Sequence, residues 1–273
     1  MAIVGVSGSF DDLRSRHVRF LEEAAKLGDV HVALWSDEAV EAMEGRSPKF
    51  PQNERLYFVE SMRYVRQVTV VDGAFDRDEF PAAPAPRPDI WAVDSSGDSP
   101  ARKRFCEAHG LKYEVIPDER LSGFPNASPQ SAECQPGRKK VIVTGCYDWL
   151  HTGHVRFFEE VAEYGDLYVS VGHDANIKLL KGPGHPQFNQ DERRYMVQAI
   201  RYVKEALIAT GSGWLDAEPE IRRIRPDIYA VNEDGDRPEK QRYCQEHGID
   251  YLVLKRLPKT GLARRYSTAL RGF

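Results

Sequence analysis

Cys146-Tyr147-Asp148-Trp149-Leu150-His151-Thr152-Gly153-His154 follows an apolar run, Val141-Ile142-Val143, and leads into an amphipathic one over 155–164. That order reads as a strand, a short turn and a helix whose first turn carries His-x-Gly-His. A helix N-terminus presents unpaired N–H groups and the positive end of the peptide dipole, so it attracts phosphate. Gly153 removes a side chain where an anion would approach the backbone. His151 and His154, three apart, project from about the same side of the turn, and both donate hydrogen bonds to phosphate oxygens. The stretch predicts chemistry on a nucleoside triphosphate.

Outward from it, strands are expected at 141–144, 167–171, 206–209, 228–231 and 251–254. The first helix places Val155, Phe158 and Ala162 on one face, with Gly165 set to end it. Asn189 and Glu192 form a capping box for a helix over 190–202. Further helices are expected near 217–224, over 237–247 with Gly248 closing it, and from Ser267. Strand and helix alternate, which implies a parallel sheet covered on both faces, with ligands at the carboxyl ends of its strands.

The two halves of the chain resemble each other. His17-Val18-Arg19-Phe20 matches His154-Val155-Arg156-Phe157 at an offset of 137 (17 to 154), and Gly28-Asp29 matches Gly165-Asp166. After a gain of one residue, Arg87-Pro88-Asp89-Ile90 matches Arg225-Pro226-Asp227-Ile228 at 138 (87 to 225). The chain reads as a tandem duplication. The expected architecture is α/β: two tandem Rossmann-like domains, each a doubly wound parallel sheet, packed as an intrachain pseudo-dimer. The expected domains are 1–121 and 139–273, joined by a linker over 122–138 rich in Pro, Ser and Gly.

With 273 residues, 41% hydrophobic and 29% charged, the chain has the composition of a soluble protein with two cores. A net charge of −4 argues against a nucleic-acid partner. Against that balance, Lys255, Arg256, Lys259, Arg264, Arg265 and Arg271 fall in a stretch, 251–273, without an acidic residue. Four cysteines without dense spacing point to a reducing cytosol, not to a zinc site or disulfide framework. The N-terminal Met1-Ala2-Ile3-Val4-Gly5-Val6 reads as a buried strand, not a signal peptide. No run is long enough to span a membrane.

The second copy, over about 139–270, resembles the cytidylyltransferase family, which includes the glycerol-3-phosphate and tandem-domain ethanolamine-phosphate enzymes. The resemblance rests on Gly145-x-Tyr147-Asp148-x-x-His151-x-Gly153-His154, on Lys181-Gly182, on Glu192-Arg193-x-x-Met196-Val197 and on Ser267-Thr268. It implies in-line attack of a substrate phosphate on the α-phosphorus of CTP, or in the alternative ATP, with release of pyrophosphate. The acceptor would be a small phosphorylated alcohol, sugar or phosphonate. His151, His154 and Lys181 would be catalytic. Gly145, Tyr147, Asp148, Gly153, Arg193, Asn232, Arg256, Arg264, Arg265, Ser267 and Thr268 would bind nucleotide. Mg²⁺ would come bound to substrate phosphates, with no metal held by the protein itself. An intrachain pseudo-dimer is implied, and a homo-oligomer is open beside it. The closing segment from Arg256 to Thr268 is longer than the family's Arg-Thr-x-Gly-Ile-Ser-Thr run, which leaves the arginines without individual roles.

Plainer alternatives stand beside these assignments. The alternative for Lys181 is a solvated loop lysine, for Asp148 a side chain bonding turn backbone, and for the basic tail a solvated face; the ligand role is preferred for Lys181 and the tail. A nucleotide-sensing or scaffold protein of the same descent is the rival from another functional class. In the first copy, Arg14-Ser15-Arg16-His17 replaces His-Thr-Gly-His, and Glu44 replaces Lys181. That copy is expected to be inactive as a transferase and to act as a built-in dimer partner, or else to bind a different anion through Arg14 and Arg16.

Overall fold

A computed structural model describes residues 1–81, 86–125, 137–267 and 270. The chain divides into two compact units, Met1–Gly123 and Phe124–Phe273. Most of the expected linker, the expected closing helix apart from Ser267 and Leu270, and Thr268 and Arg271 lie outside the described residues. Phe124 itself packs on Tyr195 at 6.0 Å, within the second unit.

The first unit runs β1 (Ile3–Gly8), α1 (Ser15–Ala25), β2 (Asp29–Trp35), α2 (Asp37–Glu44), α3 (Gln52–Glu60), β3 (Val65–Val71), β4 (Ile90–Asp94), α4 (Pro100–His109), β5 (Lys112–Ile116) and α5 (Asp118–Leu121). The second runs β6 (Lys140–Gly145), α6 (Thr152–Ala162), β7 (Asp166–Val171), α7 (Asp174–Lys181), α8 (Gln190–Gln198), β8 (Val203–Ile208), α9 (Glu218–Ile224), β9 (Ile228–Asn232), α10 (Pro238–His247) and β10 (Asp250–Leu254). The sheet orders are β3-β2-β1-β4-β5 and β8-β7-β6-β9-β10, and the paired strands are parallel. Both halves are therefore Rossmann-like α/β units, as the sequence predicts. In each, the strand order reverses beside the first strand, and a crevice opens there at the carboxyl ends. In the second unit that point lies between Gly145 and Asn232.

The duplication extends to irregularities of register. Between β2 and β3 the pairing steps from Val30↔Val65 to His31↔Gln67, and between β7 and β8 from Leu167↔Val203 to Tyr168↔Glu205. One residue is skipped at the same place in both sheets.

The central strand β6 is an unbroken apolar run because both its faces are covered: Val141, Ile142 and Val143 are wholly buried. Each such side chain contributes about 1.5–3 kcal/mol of burial. On α6, Val155, Phe158 and Val161 turn inward at helical spacing, whereas Ala162 is only half-buried. Gly165 does not end this helix, which stops at Ala162 with Glu163 as a right-handed cap. Gly165 instead passes the Lys139 carbonyl so closely that a Cβ would lie 2.2 Å from its oxygen. Gly28 meets Ala2 in the same way, at 2.1 Å. The glycine match in the repeat thus records a close backbone approach.

Two other expectations shift. Asn189 caps Glu192 N–H at 2.9 Å as predicted, but α8 ends at Gln198 and β8 starts at Val203, earlier than expected. Helix α7 escaped the sequence reading because Leu179 and Leu180 lie on its exposed side. Its cap is His173, whose Nδ1 accepts from Asn176 N–H at 3.2 Å.

Candidate active site

The turn after β6 is shaped by Tyr147, held at φ 52° in the left-handed region that bulky residues rarely adopt. Its ring folds back over Gly145, where a Cβ would lie 2.7 Å from Tyr147 Cζ. The buried ring then meets the His154 imidazole edge-on at 5.3 Å.

His151 is the N-cap of α6, and its Nδ1 accepts from Gly153 N–H at 3.1 Å. His154 Nδ1 accepts from His151 N–H at 3.3 Å. The two rings lie 4.0 Å apart, tilted by 32°. Because both Nδ1 atoms accept, a neutral ring carries its proton on Nε2, where it is free to be donated. His151 Nε2 is buried and has no hydrogen-bond partner among the described residues. Burial lowers the pKa of His151 to about 3, helped by the charges of Arg256 and Arg265. Burial likewise holds His154 well below the usual range, with His151, Arg256 and Lys181 adding to the effect. The paired imidazoles are thus neutral donors set among cations.

Gly153 has a different reason from the one first expected. The space its Cβ would take is already filled by His151, whose Cε1 lies 2.9 Å from that position. Its N–H is committed to His151 as well, so the polar groups offered at this turn are imidazoles more than bare amides.

A cleft of about 220 Å³ opens over the ends of β6 and β9. Gly145, Tyr147, Asp148, Gly153, His154, Lys181, Asn232, Arg256 and Ser267 all line it, whereas His151, 3% exposed, stands behind His154 and does not. Lys181 ends α7 and is exposed. Asn232 ends β9, and its side chain has no hydrogen-bond partner among the described residues. Ser267 Oγ donates to the Trp149 carbonyl at 3.4 Å, which brings the tail over the turn. Arg256 pairs with Asp234, donates to the Arg265 carbonyl at 3.3 Å and lies over the Tyr266 ring at 4.9 Å. Arg264 stacks on the same ring at 5.3 Å and faces Glu233 at 3.8 Å. With Arg265 it lines a small pocket along the tail, not the main cleft.

One assignment needs correction. Arg193 is 1% exposed and does not line the cleft. It donates to the Phe188 carbonyl at 2.9 Å, the Cys146 carbonyl at 2.6 Å and Asp174 Oδ1 at 2.7 Å, so it works as a strut. Arg55 makes the matching bonds to Phe50, Ser9 and Asp37 in the first unit, at 3.0, 2.6 and 2.8 Å. Asp148 uses Oδ1 to accept from Gln187 and Phe188 N–H, at 2.7 and 3.0 Å, which anchors the loop before α8 to the turn. Asp11 holds Lys49 and Phe50 likewise, at 2.8 and 3.0 Å.

The first unit inverts the charges. Arg16, in the place of Gly153, reaches Asp118 at 2.9 Å and Asp94 at 3.4 Å. Those carboxylates occupy the positions of Arg256 and Asn232. Arg14 pairs with Asp12 at 2.7 Å, and Glu44, in the place of Lys181, with Arg46 at 2.6 Å. The expected alternative of anion binding through Arg14 and Arg16 therefore loses its footing, since carboxylates of the same unit already hold both.

Cys146 is half-buried, and burial raises its pKa, away from nucleophilic use. Cys106 and Cys244 are wholly buried core residues. No helix among the described residues is long and apolar enough to cross a membrane.

The profile of the cytidylyltransferase-like family matches residues 142–266. The chain is 35% identical over 125 residues to the FAD synthase of Aciduliprofundum boonei, a match covering 45% of this chain and 80% of that protein. It is 36% identical over 123 residues to the FAD synthase of Thermococcus kodakarensis, covering 43% of this chain and 80% of that one. It is also 36% identical over 102 residues to the bifunctional protein HldE of Campylobacter concisus, covering 37% of this chain and 21% of that protein.

Proposed function

The chain belongs to the cytidylyltransferase-like family, and on that premise we propose that its second unit transfers a nucleoside monophosphate from a triphosphate to the phosphate of a small acceptor, releasing pyrophosphate. The observation that carries this reading is the imidazole pair, each Nδ1 accepting a backbone N–H, with Arg256 and Lys181 around them. Attack on the α-phosphorus gathers negative charge on its oxygens and on the leaving group. A fixed His154 Nε2–H at the cleft, backed by the His151 ring, and the nearby cations favour that charge over the ground state. Mg²⁺ would arrive with the triphosphate and offset part of its charge. Of the cleft carboxylates, Asp148 is taken by backbone N–H groups and Asp234 by Arg256.

For the donor, the motif set favours CTP, whereas similarity to proteins named FAD synthase favours ATP, because FAD has an adenylate half. We take ATP as the first reading, since those matches span 80% of the relatives' length, and CTP as the second. Incubation with each of the four triphosphates and a panel of phosphomonoesters, followed for pyrophosphate, tests both. Release with ATP and one acceptor is the expected result. Release with CTP alone favours the second reading, and no release with any pair overturns the transferase reading.

Arg256→Ala should cost at least about tenfold in kcat/KM, because a charge-assisted bond to phosphate is worth roughly 1.5–3 kcal/mol. Arg264→Ala should cost less, since that side chain lies on Tyr266 and faces Glu233. Steady-state kinetics of the two variants check the order.

The pH dependence follows from the lowered imidazole pKa values. kcat/KM reports groups of the free enzyme, in which both rings stay neutral well below pH 6.5. It should therefore show no limb near 6.5 that His154→Asn removes. A fall as pH rises through 6.5, absent from that variant, would mean that imidazolium is the working form. Stability should move the other way. Below pH 6.5 the unfolded chain takes up protons that the folded site refuses, so stability falls toward about pH 3.

A further inference from the structure

Lys240 carries none of the roles above, yet it lines the same cleft beside Asn232 and Gly235. It stands in the first turn of α10, half-buried, with Nζ 5.8 Å over the Tyr229 ring. Nζ donates to the Gly235 carbonyl at 3.1 Å. An ammonium has three N–H donors, and the other two have no hydrogen-bond partner among the described residues. Burial lowers its pKa, in keeping with an ammonium short of water.

The structural part of this arrangement is seen again in the first unit. Arg102, 138 residues earlier (102 to 240), donates to the Gly97 carbonyl at 2.7 Å and to the Arg77 carbonyl at 2.9 Å. It lies 5.4 Å over Trp91. An arginine thus holds the glycine turn equally well. What differs in the second unit is a compact ammonium with spare donors, in a cleft where the first unit has the Arg16 bridge to Asp94 and Asp118.

The histidines belong to the β6 side of the crevice, and Lys240 to the β9 side. Around it are Ala230 and Val231, apolar wall residues suited to a heteroaromatic ring, and the amide of Asn232, which has no hydrogen-bond partner among the described residues. We infer that Lys240 reads the nucleobase of the donor: its ammonium donates to an in-plane ring nitrogen or carbonyl oxygen of the base and so sets which triphosphate is accepted. This rests on the transferase reading above.

The test is equilibrium binding of ATP, CTP, GTP, UTP and inorganic tripolyphosphate, each with Mg²⁺, to the full chain and to its Lys240→Arg and Lys240→Met variants. Both variants should bind tripolyphosphate as the parent does, because the β6 side is intact. Both should lose at least about tenfold in affinity for the preferred triphosphate, and discrimination among the four should narrow. Arginine tells the two roles apart. If Lys240 is only a strut, Lys240→Arg binds the preferred nucleotide like the parent, as Arg102 predicts, and the assignment falls. It falls as well if both variants lose nucleotide and tripolyphosphate equally, or if the parent shows no preference to lose. A parent that binds no triphosphate overturns the transferase reading itself and this assignment with it, whereas normal parent binding with unchanged variants overturns this one alone.

Discussion

His154→Ala lowers kcat on the order of 100- to 1,000-fold, the usual cost of losing one donor to transition-state charge, while His17→Ala leaves it unchanged. The difference comes from the surroundings of two histidines that occupy equivalent places. Each uses Nδ1 to accept a backbone N–H, from His151 at 3.3 Å and from Arg14 at 3.0 Å. His154 then opens on a cleft lined by Lys181 and Arg256. His17 stands beside the Arg16 bridge to Asp94 and Asp118. Thermal midpoints close to the parent's are expected for both variants, because neither side chain belongs to the core. Steady-state kinetics beside a melting curve make the check. Equal losses of activity in the two would contradict the assignment of catalysis to the second unit.

Arg193→Met destabilises the second unit by about 1–3 kcal/mol, the cost of leaving buried backbone carbonyls without their donor, while Asp174, 42% exposed, turns to water. The Phe188 and Cys146 carbonyls and Asp174 lose their donor together. Arg55→Met does the same to the first unit, where Phe50, Ser9 and Asp37 are the partners. Denaturant titration monitored by circular dichroism checks both, with allowance for separate transitions of the two units. If Arg193 bound nucleotide instead, stability would hold and KM for the triphosphate would rise.

These arginines show where reading the sequence succeeds and where it stops. Motif spacing locates Arg193 correctly, but a position in a list of motif residues does not distinguish a side chain in the cleft from one beneath it. The duplication supplies the missing information: the strut persists in a copy that has lost the histidine pair and the lysine, so it serves the fold. Gly165 teaches the same lesson, because a glycine after a helix suggests a cap, while its partner Gly28 meets a carbonyl in the same way. The strand–turn–helix at 140–162 was legible since its apolar periods change sharply from strand to helix. Helix α7 was not, with two exposed leucines and a histidine cap. Nor was Lys240, whose approach to the cleft depends on how α10 packs beside β9, a long-range placement that no local pattern encodes.

The central claim is transfer of the nucleoside monophosphate, and the fate of each phosphorus tests it most directly. The protein is incubated with acceptor phosphomonoesters and the donor triphosphate labelled at the α-phosphorus in one reaction and at the γ-phosphorus in another. The account predicts the α label in a new diphosphate-linked product with the acceptor, and the γ label in pyrophosphate. The γ label on the acceptor, or released as orthophosphate while the α label remains in nucleoside diphosphate, would contradict it.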